Sequence, residues 1–177
     1  MGYRIFVANA LVLSGITWIL ASGAETHATE LLPRKDASTD NRVAALETRA
    51  SLSPSAPAVV DLATAYLERD QSGLAAAVIE HAPREIQKRA DVAQVYARVL
   101  YHRGKAREAL AVAREARETC EDGWSHCPAW LDAKTTRQVA FLEEVVAAGI
   151  DDPLANPAAT RAAYERSTRE VQMVAMR

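Results

Sequence analysis

The chain has 177 residues and is nearly neutral, with 21 Lys and Arg against 23 Asp and Glu and no polybasic patch. Nucleic acid is therefore not the expected partner, and an anionic membrane surface is scarcely a better one. At 49% hydrophobic and 25% charged, rich in alanine and arginine with only seven glycines, the composition is that of a soluble protein inclined to helices.

Met1–Ala24 reads as an export signal rather than as part of a fold. Arg4 supplies the positive charge, the run from Ile5 to Leu20 is largely apolar, and Ala21, Ser22, Gly23 and Ala24 supply small residues for a peptidase that cuts after Ala24. The apolar run is shorter than the roughly 20 residues a membrane span needs, so no integral membrane segment is expected after cleavage. No cysteine follows the cut, which argues against a lipoprotein. Such a signal implies a periplasmic or secreted protein of a bacterium. The mature chain, with 20 Lys and Arg against 23 Asp and Glu, has a net charge of −3. Its 153 residues suit one domain with a sizeable core.

Glu25 to Asp40 lacks periodicity and reads as a flexible lead-in, followed by a short amphipathic helix from Asn41 to Leu52 capped by Asp40 or Asn41. This helix ends before Ser53-Pro-Ser-Ala-Pro57 and is expected to cover the exposed flank of the first hairpin beyond it. The helical domain then runs over residues 55–177. Ser55 is the expected N-cap of a helix from Ala56 to about Arg69, with Pro57 tolerated in its first turn. A second helix from about Ser72 to His81 stops at Pro83, and charged Arg84–Arg89 links it onward.

The segment from Ala90 to Glu121 has the clearest pattern. Val92, Ala93, Tyr96, Ala97, Val99 and Leu100 recur at helical intervals, as do Ala106, Ala109, Leu110, Ala113 and Ala116 beyond a break at His102-Arg-Gly104. The pattern predicts two antiparallel helices, with Gly104 ending the first because glycine reaches positive φ without steric cost. Their alanine stripes allow close approach. Such a pair cannot bury its apolar faces alone, so neighbours of the same kind are required.

A second copy lies 34 residues upstream: laying Ala56 on Ala90 superimposes Val59 on Ala93, Leu62 on Tyr96, Ala63 on Ala97, Tyr66 on Leu100, Ala75 on Ala109, Ile79 on Ala113 and Ala82 on Ala116. The pattern resembles the tetratricopeptide repeat (TPR), which wants small residues where Ala63, Ala97, Ala75, Ala109, Ala82 and Ala116 stand and a large one where Tyr66 and Leu100 stand. Asp70 occupies the turn position held by Gly104, and both copies lack the family's early tryptophan and closing proline in register. The resemblance implies an all-α stack of about three antiparallel hairpins, an α-solenoid whose first helices line a groove. The family's ligand-facing positions fall on Asp91, Gln94, Arg98, Tyr101 and His102, and in the upstream copy on Pro57, Val60, Thr64, Leu67 and Glu68. The rival reading of these residues is a plain solvated helix face.

Both cysteines sit in Cys120-Glu-Asp-Gly-Trp-Ser-His-Cys127. An even count in an exported chain favours a disulfide. Metal binding by Cys120, His126 and Cys127 is disfavoured by the ligand spacing and the lack of a second pair. Trp124 and Trp130 flank this turn and are expected to pack over the disulfide. A long helix from Trp130 to Ala148, with Trp130, Ala133, Val139, Ala140, Leu142 and Val146 inward, ends at Gly149. A last helix from Ala158 to about Met173 turns Ala162, Ala163, Ser167, Val171 and Val174 inward and closes the stack.

The motifs of catalysis and cofactor binding are missing: no G-x-S-x-G, H-E-x-x-H, C-x-x-C or glycine-rich phosphate loop occurs. His27, His81, His102 and His126 are dispersed, and His81 and His102 fall at helix ends, where a cation suits the dipole. Tyr66 and Tyr96 are expected in the core. No catalytic residue, cofactor or metal is therefore expected, and the leading reading is a non-catalytic scaffold binding a protein or peptide. A self-associating structural subunit of an envelope assembly is the alternative, and an enzyme of unrecognised type ranks third.

Overall fold

A computed structural model of the chain describes residues 37–121 and 127–175, with side chains over 39–121 and 127–169. Met1–Ala24, most of the lead-in, Trp124, His126 and the side chains of Val171 and Val174 lie outside the described residues. From Ser38 onward the described residues belong to one compact unit. They form eight helices and no strand: α1 Ala37–Leu52, α2 Ala56–Leu67, α3 Ser72–Glu80, α4 Arg84–Gln87, α5 Ala90–His102, α6 Ala106–Glu121, α7 Ala129–Ala147 and α8 Pro157–Ala175. The fold is all-α, as the periodicity requires. Helices pack on their chain neighbours, α2 on α3, α5 on α6, α6 on α7 and α7 on α8, while α5 also packs on both α2 and α3.

The alanine stripes fill the contacts. In α6 the buried residues are Ala106, Ala109, Leu110, Ala113 and Ala116, the five expected from the pattern. Across from them Ala97 and Leu100 join Leu110, Ala113, Val139 and Leu142 in one cluster. Ala63 and Ala97, like Ala75 and Ala109, are completely buried, whereas Ala82 is half-buried where Ala116 is buried and Tyr96 is half-buried where Leu62 is buried. The turns agree. Asp70 has φ +57° and Gly104 φ +70°, left-handed residues at the same offset, each ending a helix by the geometry that glycine and aspartate tolerate best. Ser55 does stand at the N-cap of α2, although its side chain makes no capping hydrogen bond.

Several expectations are corrected. α1 begins at Ala37, so Asp40 and Asn41 lie inside the helix and do not cap it. Asp40 instead pairs with Arg69 of the α2–α3 turn, and an acid in the first turn suits the helix dipole. Val43 of α1 is buried against the α2–α3 core, with Leu46 and Ala50 half-buried beside it. The Tyr66 hydroxyl donates to the Glu47 carboxylate, and burial together with this acid pushes the phenol up to about 12. Tyr66 is core; Tyr96 is only half-buried, because its hydroxyl reaches Glu80 at 2.9 Å. The charged link after Pro83 contains the short helix α4.

The buried stripe of α7 is Leu131, Thr135, Val139, Leu142 and Val145; of the expected residues Val139 and Leu142 belong to it, Val146 is half-buried against the core, and Trp130 and Ala133 are exposed. Trp130 faces solvent with 62% of its surface exposed. In α8, Ala163 and Ser167 are buried as expected, but Ala162 is exposed and Thr160 is buried, its hydroxyl donating to the Pro153 carbonyl at 2.9 Å.

Cys120 and Cys127 have their sulfurs at disulfide distance and their Cα atoms 5.3 Å apart, tying the end of α6 to the start of α7. Closing so short a loop is worth about 2 to 2.5 kcal/mol by chain entropy. Thiol labelling of unreduced, denatured protein is expected to find no free thiol, and Cys120→Ser with Cys127→Ser to lower stability by about 2 kcal/mol. Two reactive thiols in the unreduced protein would contradict the pairing.

Candidate interaction cleft

Side chains of α5 and α7 meet around a cleft of about 270 Å3. From α5 it is lined by Gln94, Arg98, Tyr101 and His102; from α7 by Lys134, Gln138, Phe141 and Leu142. Four of the five groove residues named from the repeat pattern thus meet in one place. Asp91 does not join them: it forms a two-pronged ion pair with Arg89, at 3.1 and 3.0 Å, and accepts the Val92 amide at 3.0 Å. Placed in the first turn, it secures the start of α5. In the upstream copy Leu67 is buried in the core and Pro57 and Glu68 are exposed, while Val60 and Thr64 are half-buried.

Gln94 is not a solvated residue. Only 3% exposed, it donates through Nε2 to Gln138 Oε1 at 2.9 Å, and Gln138 Nε2 donates to the Gln94 carbonyl at 3.3 Å. This amide pair clasps α5 to α7 at one end of the cleft, since a buried amide left unpaired would cost about 1 to 3 kcal/mol. At the other end Tyr101 meets Phe141 with ring centroids 5.6 Å apart, and Phe141 meets Tyr164 of α8 at 5.9 Å. Leu142, buried in the core, forms part of the lining.

Arg98, Lys134 and His102 bring three basic groups to this lining and no carboxylate shares it. Burial lowers the Lys134 pKa and the Arg98 charge lowers it further. His102 is lowered in the same way, by burial first and Arg98 second, with Asp70 pulling weakly the other way. It does lie in the last turn of its helix, yet burial and Arg98 outweigh any gain from the dipole there. Tyr101 is raised by burial. A histidine whose folded pKa is depressed stabilises the fold as the neutral ring. That contribution is complete above about pH 6.5 and is lost as pH falls from there to the folded-state value. Between pH 7.5 and 5, His102→Gln is therefore expected to lose less melting temperature than the wild type. An equal loss in both would remove His102 as a cause.

The α7 half of the cleft escaped the repeat search for a definable reason. Lys134, Gln138 and Phe141 have the spacing of Gln94, Arg98 and Tyr101, each triad ending in an aromatic ring, but the offset between triads is 40 residues rather than 34. The cysteine loop lies between them. Searching for the triad rather than for a period would have found it.

No protein-family model, no curated protein and no solved structure matches the chain. Among the described residues no helix is long and apolar enough to cross a membrane, and no group of acids, histidines and cysteines is placed to hold a metal ion.

Proposed function

We propose that this chain is an exported, non-catalytic scaffold of tetratricopeptide type that binds a protein or peptide partner through the α5–α7 cleft. The observation that carries this reading is the convergence of Gln94, Arg98, Tyr101 and His102 on one concave surface, faced by Lys134, Gln138 and Phe141 of a second helix. Arginine and tyrosine are both enriched among binding hot spots, and a concave lining that is apolar with a few directed polar groups is the usual form of a recognition site. The repeat character is supported by the paired left-handed turns at Asp70 and Gly104 and by the complete burial of Ala63 with Ala97 and of Ala75 with Ala109 at the 34-residue offset. Export is supported by the apolar run and small residues of Met1–Ala24.

The test replaces both Arg98 and Tyr101 with alanine. Helical circular dichroism should be unchanged, and the melting temperature should fall by only a few degrees, since the lost Tyr101–Phe141 contact is worth about 0.5 to 1.5 kcal/mol. Capture of the partner recovered from a periplasmic extract by the wild type should drop at least tenfold. Undiminished capture would move the site elsewhere on the molecule.

A further inference from the structure

The α5–α7 cleft has a charge that the rest of the described surface does not explain. The other half-buried lysines and arginines find acids, Arg69 with Asp40, Lys105 with Glu108 and Arg117 with Glu121, whereas the arginines that stand without an ion pair elsewhere among the described residues, Arg42, Arg84, Arg137, Arg161 and Arg169, are exposed to solvent. Arg98 and Lys134 take part in none of the ion pairs among the described residues. Both are half-buried in a net-acidic chain, and they lie near enough for the charge of one to disfavour that of the other. Two like charges held together against partial desolvation are destabilising unless an anion comes between them.

We propose that the cleft selects an acidic side chain within an extended peptide, its carboxylate meeting Arg98 and Lys134 while a neighbouring apolar side chain lies against Tyr101 and Phe141. This rests on the reading of the cleft as a peptide site and adds what the peptide must carry. Size favours a peptide over a free small molecule. Pockets that enclose small ligands usually hold about 300 to 1,000 Å3, whereas this cleft of about 270 Å3 has room for little more than one residue of something larger. The backbone amides of helix N-termini and glycine-rich turns, on which many phosphate sites draw, contribute nothing to this lining. Here every lining residue lies beyond the first turn of its helix. The aromatic pair and Leu142 supply the apolar wall that a side chain beside the acid would cover. The amides of Gln94 and Gln138 are already engaged with one another, so the basic groups carry the discrimination.

The test titrates the full chain calorimetrically with the blocked peptide acetyl-Ala-Phe-Glu-Leu-Ala-amide and with its Gln and Lys analogues, at pH 7.5 and low salt. The glutamate peptide should bind, and the Gln analogue should bind at least tenfold more weakly, with the Lys analogue weaker still. Arg98→Gln and Lys134→Gln, both shown folded by circular dichroism, should each remove most of that preference. Equal binding of the Glu and Gln peptides, or no binding of the glutamate peptide at millimolar concentration, overturns the proposal. So does tighter binding of acetyl-Ala-Phe-Gln-Leu-Ala with a free C-terminus, which would assign the cleft to a chain end. If acid preference fails while partner capture still depends on Arg98 and Tyr101, the cleft remains the docking site and only its charge selectivity is lost.

Discussion

Replacing Leu142 with alanine is expected to lower stability by about 3 kcal/mol and the melting temperature by roughly 10 °C. Leu142 is 1% exposed and sits where three helices meet, packed with Ala97 and Leu100 of α5, Leu110 and Ala113 of α6, and Val139 of its own helix. Most of these neighbours are alanines or short branched residues already in close contact, so they cannot move in to refill the space. The effect should therefore lie within the usual Leu→Ala range of about 2 to 5 kcal/mol and well above its floor. Leu142→Met, which nearly conserves volume, should cost less than about 1.5 kcal/mol. Because Leu142 also lines the α5–α7 cleft, the alanine variant should lose partner binding beyond what its stability predicts, whereas the methionine variant should keep it. Denaturant titration read by helical circular dichroism measures the stability difference directly. A loss below about 1 kcal/mol for the alanine variant would show that the three helices do not meet at this side chain.

The second large effect is expected at Gly104, where two costs combine. Its φ of +70° is a conformation that a residue with a Cβ adopts at about 1 kcal/mol or more, and the added Cβ would stand 2.9 Å from Asp152 Cγ. Asp152 has little freedom to withdraw, since its Oδ1 accepts the Leu154 amide at 2.9 Å and the Ala155 amide at 3.3 Å. The α5–α6 turn also touches the α7–α8 connection through its backbone, the Ala106 amide donating to the Asp151 carbonyl at 3.4 Å. Gly104→Ala should then cost about 2 kcal/mol, or roughly 5 to 10 °C in melting temperature. Gly149 is the internal control. It has nearly the same φ, +69°, but nothing lies within 4 Å of a Cβ built there, so Gly149→Ala should show the conformational cost alone. Equal losses at the two glycines would mean that the α5–α6 turn does not press on Asp152.

Much of the fold could be read from the residues because helix pairs obey local rules. The stripes at Ala106 to Ala116, the left-handed stop at Gly104 and the 34-residue likeness to Ala56–Ala82 all express periodicities of a few residues or one repeat, and they reappear in burial and backbone angles. Periodicity placed Val139, Leu142, Ala163 and Ser167 inward but got other positions of α7 and α8 wrong, where alanine and valine are spread around the helix and several rotations of the stripe have similar hydrophobicity. There the burial of Leu131 rather than Trp130, and of Thr160 rather than Ala162, is decided by whichever side chain fits its neighbour.

The candidate site divides in the same manner. Spacing along the chain was enough to indicate that the protein is all-α, that small residues mark the helix contacts, and that α5 carries a polar face with Arg98 and Tyr101. Each of these depends on one chain segment, whose spacing backbone geometry converts directly into position. It took the packed molecule to set α7 opposite α5, with Lys134 near Arg98 and Phe141 against Tyr101. Packing likewise clasps Gln94 to Gln138. Those outcomes depend on how helices separated by the cysteine loop settle against one another, and that is set by the summed packing of many side chains, which no local spacing encodes.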